Sequence, residues 1–385
     1  MVTDCFLPMM GGIEMVVSRL SQRLAARGHD VAVLTCTDAG DFSDAELPYE
    51  VHRSVWANPF HAPVDPRAPR RFAAAIRAWR PDVVHIHQGE LTPVAQAVLW
   101  ELRASDIPVV VTVHSVWSRG VTIPLYRAGA RAGGLAHAGI GWTGVSELVC
   151  GRIRDAIGDV ETRVVPNGVE ASDWRRPRRD HDDVVLACAT RFAPRKRVTA
   201  LVDIIRSAVA EVGWSPLDGW ADVDAAGGRR VRAVIAGVGP QQRQVARMVE
   251  DAGLRDVVEL PGRLDADALA DLYAGADIYV APGVADASVL AAAEARAAGL
   301  AVVTRSQSGL AEQIIPGVNG ESCDTDAEMA EVIAGWIADP DALARIVAHN
   351  ATVVPENDYS HVLPAVEDVY RWAIGLRQPS SPLAV

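Results

Sequence analysis

The chain has 385 residues, 49% of them apolar, enough to fill the cores of two ordinary α/β domains. Its net charge of −12 excludes nucleic acid as the main ligand, because a phosphate backbone needs a basic face. No apolar run is long enough for a membrane-spanning helix, and the five scattered cysteines (Cys5, Cys36, Cys150, Cys188, Cys323) contain no Cys-x-x-Cys pair to frame a metal.

The thiols read as reduced, and the start of the chain lacks the basic residues and cleavage site of a secretory signal, so the protein is predicted to be cytoplasmic. Only Met1–Thr3 precede Asp4, so the first strand is either short or begins upstream. Residues 14–27 carry helical spacing (Val16, Val17, Leu20, Leu24) that Gly28 ends, and Asp30–Thr35 is an apolar strand. The order recurs as helix 70–80 into strand Asp82–His87, and helix 91–104 into strand Val109–His114. Strands of this kind, continuous in Val and Ile, belong to a parallel sheet covered on both faces.

Val164–Gly168 reads as a strand entering a turn, and the polar stretch Trp174–Asp183 as a linker. A second series follows: strand 184–190, helix 198–212, strand 232–237, helix 240–253, strand 257–260, helix 265–274, strand 277–281, helix 288–299 and strand 300–304. Within it Gly213–Gly228, a polar loop with Trp214 and Trp220, is longer than such a connection needs. A helix over Leu363–Leu376 closes the chain. The predicted division is residues 1–168, joined by a last helix near 360–377, and residues 169–359.

Ligands of open parallel sheets bind outside the carboxyl ends of the strands. The residues in that position are Gly11–Gly12, His87, His114, Arg191, Gly237–Gly239, Gly262–Arg263 and Pro282–Asp286. Charge marks one of these places. Up to Glu170, 16 arginines face 18 acids, so about −10 of the net charge falls in the remainder. An acidic half that binds a diphosphate must do so with a few placed cations, and Arg191-Phe-Ala-Pro-Arg-Lys196 supplies two, five residues apart, in a loop after a strand. Lys196 is the only lysine among 37 basic residues, and an ammonium and a guanidinium are not interchangeable around phosphate oxygens. The plainer reading is a solvated basic loop.

Other features carry less. Gly11-Gly12-Ile13-Glu14, between strand and helix, is either an oxyanion-binding turn or simply a tight one. Asp286 lies in a loop and Glu294 in the helix after it, among Ala292, Ala293, Ala295, Ala297 and Ala298, where a buried carboxylate needs a partner. The first can reach sugar hydroxyls, the second a ribose, and the amides at the helix start a phosphate. The pairs Asp222/Asp224, Asp265/Asp267 and Asp324/Asp326 read as caps and solvated acids rather than metal ligands. His85 and His87 share one strand face and lack a third ligand for a metal. Arginines 67, 70, 71, 77 and 80 read as a solvated helix face, with an anionic membrane surface as the lesser alternative.

In order along the chain stand Gly-Gly-Ile-Glu at 11–14, His114, Val-Pro-Asn-Gly at 165–168, Arg191 with Lys196, Gly237-Val-Gly239-Pro240, Leu-Pro-Gly-Arg at 260–263, and Asp286 with Glu294. This ordered set resembles the family-4 retaining glycosyltransferases of GT-B architecture over nearly the whole length. The opening Asp4-Cys-Phe-Leu-Pro-Met-Met-Gly-Gly-Ile-Glu is most similar to members that glycosylate phosphatidylinositol. The resemblance implies two Rossmann-like domains facing across a cleft, the first for the acceptor and the second for the nucleotide sugar. It implies a metal-independent enzyme without a cofactor, moving a hexose (GlcNAc, glucose or mannose) from a UDP- or GDP-sugar, UDP favoured, to an acceptor hydroxyl.

Carried over by position, the catalytic set is His114, Asp286, Arg191 and Lys196. The donor set is Gly11, Gly12, Arg191, Lys196, Gly239, Arg263, Asp286, Ala287, Ser288, Val289 and Glu294. Asp286 departs from the family's glutamate, shorter by a methylene, and Ser288 stands where phenylalanine is common. Two rivals share the fold: a sugar-nucleotide epimerase, and an inactive nucleotide-binding subunit. Small metabolite, natural product, glycan and lipid all stay open as acceptors, because loops 55–68 and 116–133 (Trp117, Tyr126, Arg127, Arg131) carry no pattern that decodes them.

Overall fold

A computed structural model describes residues 1–58, 62–217, 219–220 and 229–377. The Val- and Ile-rich runs build two parallel sheets, one in each of two units: Met1–Gly168 with the chain from Tyr359 onward, and Val169–Asp358.

In the first unit the strands are β1 (Val2–Thr3), β2 (Ala32–Thr35), β3 (Glu50–Arg53), β4 (Val84–Gln88), β5 (Val109–Val113), β6 (Ile140–Gly144) and β7 (Thr162–Val164). They lie in the order β3-β2-β1-β4-β5-β6-β7. Around them pack α1 (Gly12–Ala26), α2 (Ala68–Trp79), α3 (Pro93–Leu102), α4 (Thr122–Gly133), α5 (Glu147–Ile157) and the last helix, Tyr359–Arg377. The last helix belongs here because Val362, Leu363, Val366, Val369 and Ala373 enter the core that Val17, Leu20 and Leu24 of α1 also line. Strand β1 has two residues, as its sequence allows.

The second unit begins with the short α6 (Ala171–Trp174), followed by β8 (Val184–Ala189), α7 (Val198–Glu211), β9 (Val231–Ala236), α8 (Gln242–Asp251) and β10 (Val258–Gly262). Then come α9 (Ala266–Ala274), β11 (Ile278–Ala281), α10 (Leu290–Ala297), β12 (Ala301–Arg305), β13 (Gly320–Cys323), α11 (Asp326–Ala338) and α12 (Pro340–Thr352). The sheet order is β10-β9-β8-β11-β12-β13. Alternate residues of β8 enter different cores: Val184, Leu186 and Cys188 join one cluster, Val185 and Ala187 the other. That is how a strand covered on both faces must be built.

The stretch Trp174–Asp183 is not a linker. Trp174 is buried beside Tyr273, Arg176 pairs with Asp267 and Asp271, and Arg178 pairs with Asp277 at 2.7 Å. These partners lie about a hundred residues downstream, so the stretch looked unattached only in isolation. Trp214 and Trp220 are likewise buried in the core, while Asp222/Asp224 fall outside the described residues. The sequence reading also passed over β3, β6, α4, α5, β13, α11 and α12. Two of these carry glycines for packing reasons. In β6, a Cβ on Gly141 would lie 3.2 Å from Ala373 and Trp372 of the last helix, and in α4 Gly133 lies against the Trp100 ring.

Candidate functional site

The strand order of the second unit reverses between β8 and β11, and at such a reversal the loops after the two strands diverge and leave room for a ligand. The loop after β8 carries Arg191 and Lys196, and the loop after β11 carries Asp286. The structure joins them: Lys196 Nζ donates to Asp286 Oδ1 at 2.7 Å, the lysine side chain being 22% exposed and the carboxylate 7%. Lysine brings three N–H groups, so two stay available for an anion.

Both loops are braced. Arg197 adopts the left-handed conformation (φ 54°) and turns its guanidinium onto the Pro282 carbonyl at 2.8 Å and, in fork fashion, onto Asp326 at 2.9 and 2.6 Å. Arg305 reaches the same carboxylate, and these arginines hold its pKa below the usual range. Arg197 therefore ties the β8 loop to the β11 loop and to the start of α11, a role its place in the basic cluster did not reveal. From the other side, the Gly309 amide donates to the Asp286 carbonyl at 2.8 Å. A Cβ at Gly283 would collide with the Asp286 carboxylate, so glycine lets the acid fold over the backbone there.

The rest of the second-unit set divides clearly. Arg191 is exposed, as is Arg263 after β10, and among the described residues neither guanidinium has a partner. The Gly237-Val-Gly239 loop lies against the β8 loop: the Phe192 amide donates to the Val238 carbonyl, and Gln241 donates to that of Phe192, both at 3.0 Å. Gly237 (φ 137°) is required, because a Cβ would strike the Thr190 carbonyl oxygen. Ala287, Ser288 and Val289 lead into α10, whose N-cap Val289 offers no side-chain acceptor to the first turn. Glu294 is buried in α10 at 6% exposure. Its charge is felt by Tyr273 and Tyr279, whose hydroxyls burial already holds protonated. Below the Lys196–Asp286 pair, burial pushes the Cys188 thiol up to about 12, so it stays neutral.

In the first unit, a Cβ at Gly11 would collide with the carboxylate of Glu14, which folds back over the turn. Gly12 opens α1. Upstream, the Asp4 carboxylate accepts from the amides of Val94 at 3.0 Å and Ala95 at 2.7 Å, capping α3 from another strand. Burial raises Asp4 to about 6 against the pull of those bonds.

His114 belongs to a buried network, and its partners assign the tautomers. Thr143 Oγ1 donates to the Val111 carbonyl, so it accepts from Thr112 at 2.6 Å. Thr112 then accepts from His85 Nε2–H at 2.6 Å, and His85 Nδ1 accepts from the Tyr370 hydroxyl at 2.9 Å. His114 Nδ1–H donates to Asn167 Oδ1 at 3.1 Å, which leaves its Nε2 to accept from His87 Nδ1–H at 2.9 Å. Desolvation lowers His114 to about 4 and the other two well below 6.5. Both ring nitrogens of His114 are occupied, so the ring is built to be held in place as a neutral group rather than to exchange protons. The sequence placed His87 just after a strand and Asn167 in the Val-Pro-Asn-Gly motif, but did not show that the two hold His114. The remaining acid pairs also find local work: Asp265 caps α9, Asp267 pairs with Arg176, Asp324 accepts from Ser306, and Asp326 is the hub for Arg197 and Arg305.

Residues 10–173 match the family described as Glycosyltransferase Family 4, and residues 171–352 match Glycosyl transferases group 1. The chain belongs to the family-4 type of glycosyltransferases. This glycosyltransferase is 28% identical to a glycogen synthase of Mycobacterium tuberculosis over 98% of this chain and 95% of that one. It is 24% identical to an alpha-monoglucosyldiacylglycerol synthase of Streptococcus pneumoniae, over 88% and 78% respectively. Its fold is that of HepE from Anabaena, solved with UDP, at a TM-score of 0.75 and 17% identity, over 96% and 98% of the two chains. That likeness gives the GT-B architecture of two parallel-sheet α/β units.

Proposed function

We propose that this glycosyltransferase moves a hexose from a UDP-sugar to an acceptor hydroxyl with retention of anomeric configuration, and needs neither metal nor cofactor. The observation that carries the reading is the Lys196–Asp286 pair at the sheet reversal of the second unit. A compact cation there, with two free N–H groups, suits the diphosphate, and the uncapped start of α10 adds backbone donors for the same anion. Asp286 suits the sugar hydroxyls, Glu294 the ribose, and exposed Arg191 the outer phosphate oxygens. The donor sugar's bond to the diphosphate oxygen breaks as charge gathers on that oxygen, and Lys196 and Arg191 stabilise it. The acceptor hydroxyl attacks from the face the diphosphate leaves, its oxygen bonding the anomeric carbon as the bond to the diphosphate oxygen breaks and its proton passing to that departing oxygen. HepE's complex with UDP, and the glucosyl transfer implied by the names of both relatives above, support the choice of UDP and of a hexose.

The test is Lys196→Ala. Removing one preorganised donor to a leaving group lowers turnover by about 10²–10³-fold. The variant keeps its fold, because Lys196 is partly exposed and Asp286 rehydrates. Turnover like that of the unaltered protein would remove the proposal. A donor-only incubation separates the rivals: an epimerase converts the UDP-sugar without acceptor, and an inactive subunit binds UDP and leaves every sugar intact.

A further inference from the structure

Helix α4 has two unlike faces. Thr122, Ile123, Tyr126 and Ala130 are buried, Gly129 and Gly133 lie against the Trp100 ring of α3, and Tyr126 stacks on Trp117 with ring centroids 4.1 Å apart. Opposite them Val121 is 72% and Leu125 62% exposed, and with Ala128 and Ala132 they follow one helical stripe. Leu91, 78% exposed, stands next to it, since its neighbour Glu90 accepts from the Thr122 hydroxyl at 3.0 Å. Side chains this exposed along one stripe, with Leu91 beside the residue that binds the helix start, make a patch rather than single apolar residues scattered over a surface. Among the described residues no helix is long and apolar enough to cross a membrane.

The charges indicate what covers the patch. From Ile107 to Ser146 there is no Asp or Glu, in a chain where 49 of 385 residues are acidic. The same stretch holds Arg119, Arg127 and Arg131. Arg127 donates to the Asp155 backbone carbonyl, Arg119 comes only within 3.7 Å of the Asp155 carboxylate, and Arg131 has no side-chain partner among the described residues. Arg127 and Arg131, one turn apart, border the apolar stripe. Glu90 at the helix start and Asp155 beside Arg127 and Arg119 lie at its border, and Arg131 is the cation left open. An apolar strip with an open cation at its edge complements a surface that is apolar beneath and anionic on top.

We propose that the exposed face of α4, together with Leu91, docks the protein on an anionic lipid bilayer. Of the arginines of and around α2 named above, all but the exposed Arg70 turn to protein partners. Arg67 and Arg71 turn to Asp65, Arg77 to the Glu101 carbonyl and Arg80 to Asp106. The docking stands independently of the transfer reaction.

The experiment mixes the full chain with extruded vesicles of phosphatidylcholine alone, or of phosphatidylcholine and phosphatidylglycerol in equal parts, and measures sedimentation. The protein binds the mixed vesicles, not the neutral ones, and high salt releases it. The double substitution Val121→Ser with Leu125→Ser, both at exposed positions, lowers the partition coefficient by roughly ten-fold or more while the melting temperature holds. Arg131→Gln weakens binding less and flattens the salt dependence. Protein that stays in the supernatant with both vesicles overturns the proposal, as does a double variant that binds normally. So does a concentration-dependent dimer that the double variant abolishes, which would assign the face to a second copy. Sedimentation needs no turnover, so these failures are distinct from a failure of the transferase reading.

Discussion

Asp286 holds the ammonium of Lys196 at 2.7 Å, which fixes the direction of the cation proposed to meet the diphosphate. In the proposed reaction the same carboxylate also places a negative charge beside the diphosphate. These effects separate in a substitution. Asp286→Asn keeps the shape and removes the charge, so UDP binds more tightly, by about 1 kcal/mol or roughly five-fold in Kd. Transfer falls in the same variant, because the sugar loses its carboxylate and Lys196 its anchor. Calorimetric titration with UDP and initial rates with a UDP-sugar give both numbers. Weaker UDP binding by the variant would show that Asp286 does not oppose the diphosphate.

The sequence made Lys196 visible because it stands alone in an arginine-using chain, and made Asp286 visible by its place after a strand. Their pairing was not legible. They are 90 residues apart, and only the adjacency of β8 and β11 brings their loops together. Arg197 looked like one more member of the basic cluster, since its three acceptors come from Pro282 and Asp326. His114 was found by position, but its two holders lie on β4 and in the turn after β7, so its locked tautomer needed the fold. Trp174–Asp183 was misread for the same reason: arginine-rich stretches look solvated until the acids they meet are placed.

Arg197 links three segments, which makes it the residue whose loss loosens the site without touching the proposed donor. Arg197→Ala removes charge-assisted bonds to Pro282 and Asp326 and costs about 1–3 kcal/mol of stability. Arg197→Gly costs less, since glycine relieves the left-handed backbone by about 1 kcal/mol. In both, KM for the donor rises more than kcat falls, because the two loops lose their alignment before any reacting group is lost. Urea unfolding ranks the three proteins, and equal stability of the alanine and glycine variants would contradict the strain argument.

The histidine network makes the protein labile to mild acid. Burial lowers His114 to about 4, and His85 and His87 well below 6.5. Below pH 6.5 the unfolded chain takes up protons that the folded one refuses, so the stability these groups contribute is complete above 6.5 and is lost as the pH falls. Each histidine acts with a slope of about 1.4 kcal/mol per pH unit at most. Two carboxyls oppose them. Desolvation raises Asp4 to about 6 and also raises Glu14, so the folded state takes up those protons first and gains stability as the pH falls through that range. The loss therefore sets in near 6.5 and steepens as the unfolded histidines fill, while beneath 6 Asp4 offsets up to about one histidine's share of it. Urea midpoints at half-unit steps from pH 7.5 to 5 read this directly. His87→Asn, whose amide N–H still serves His114, removes about one histidine's share of the slope. A midpoint that stays level across the range would mean that the three rings accept protons without leaving their network.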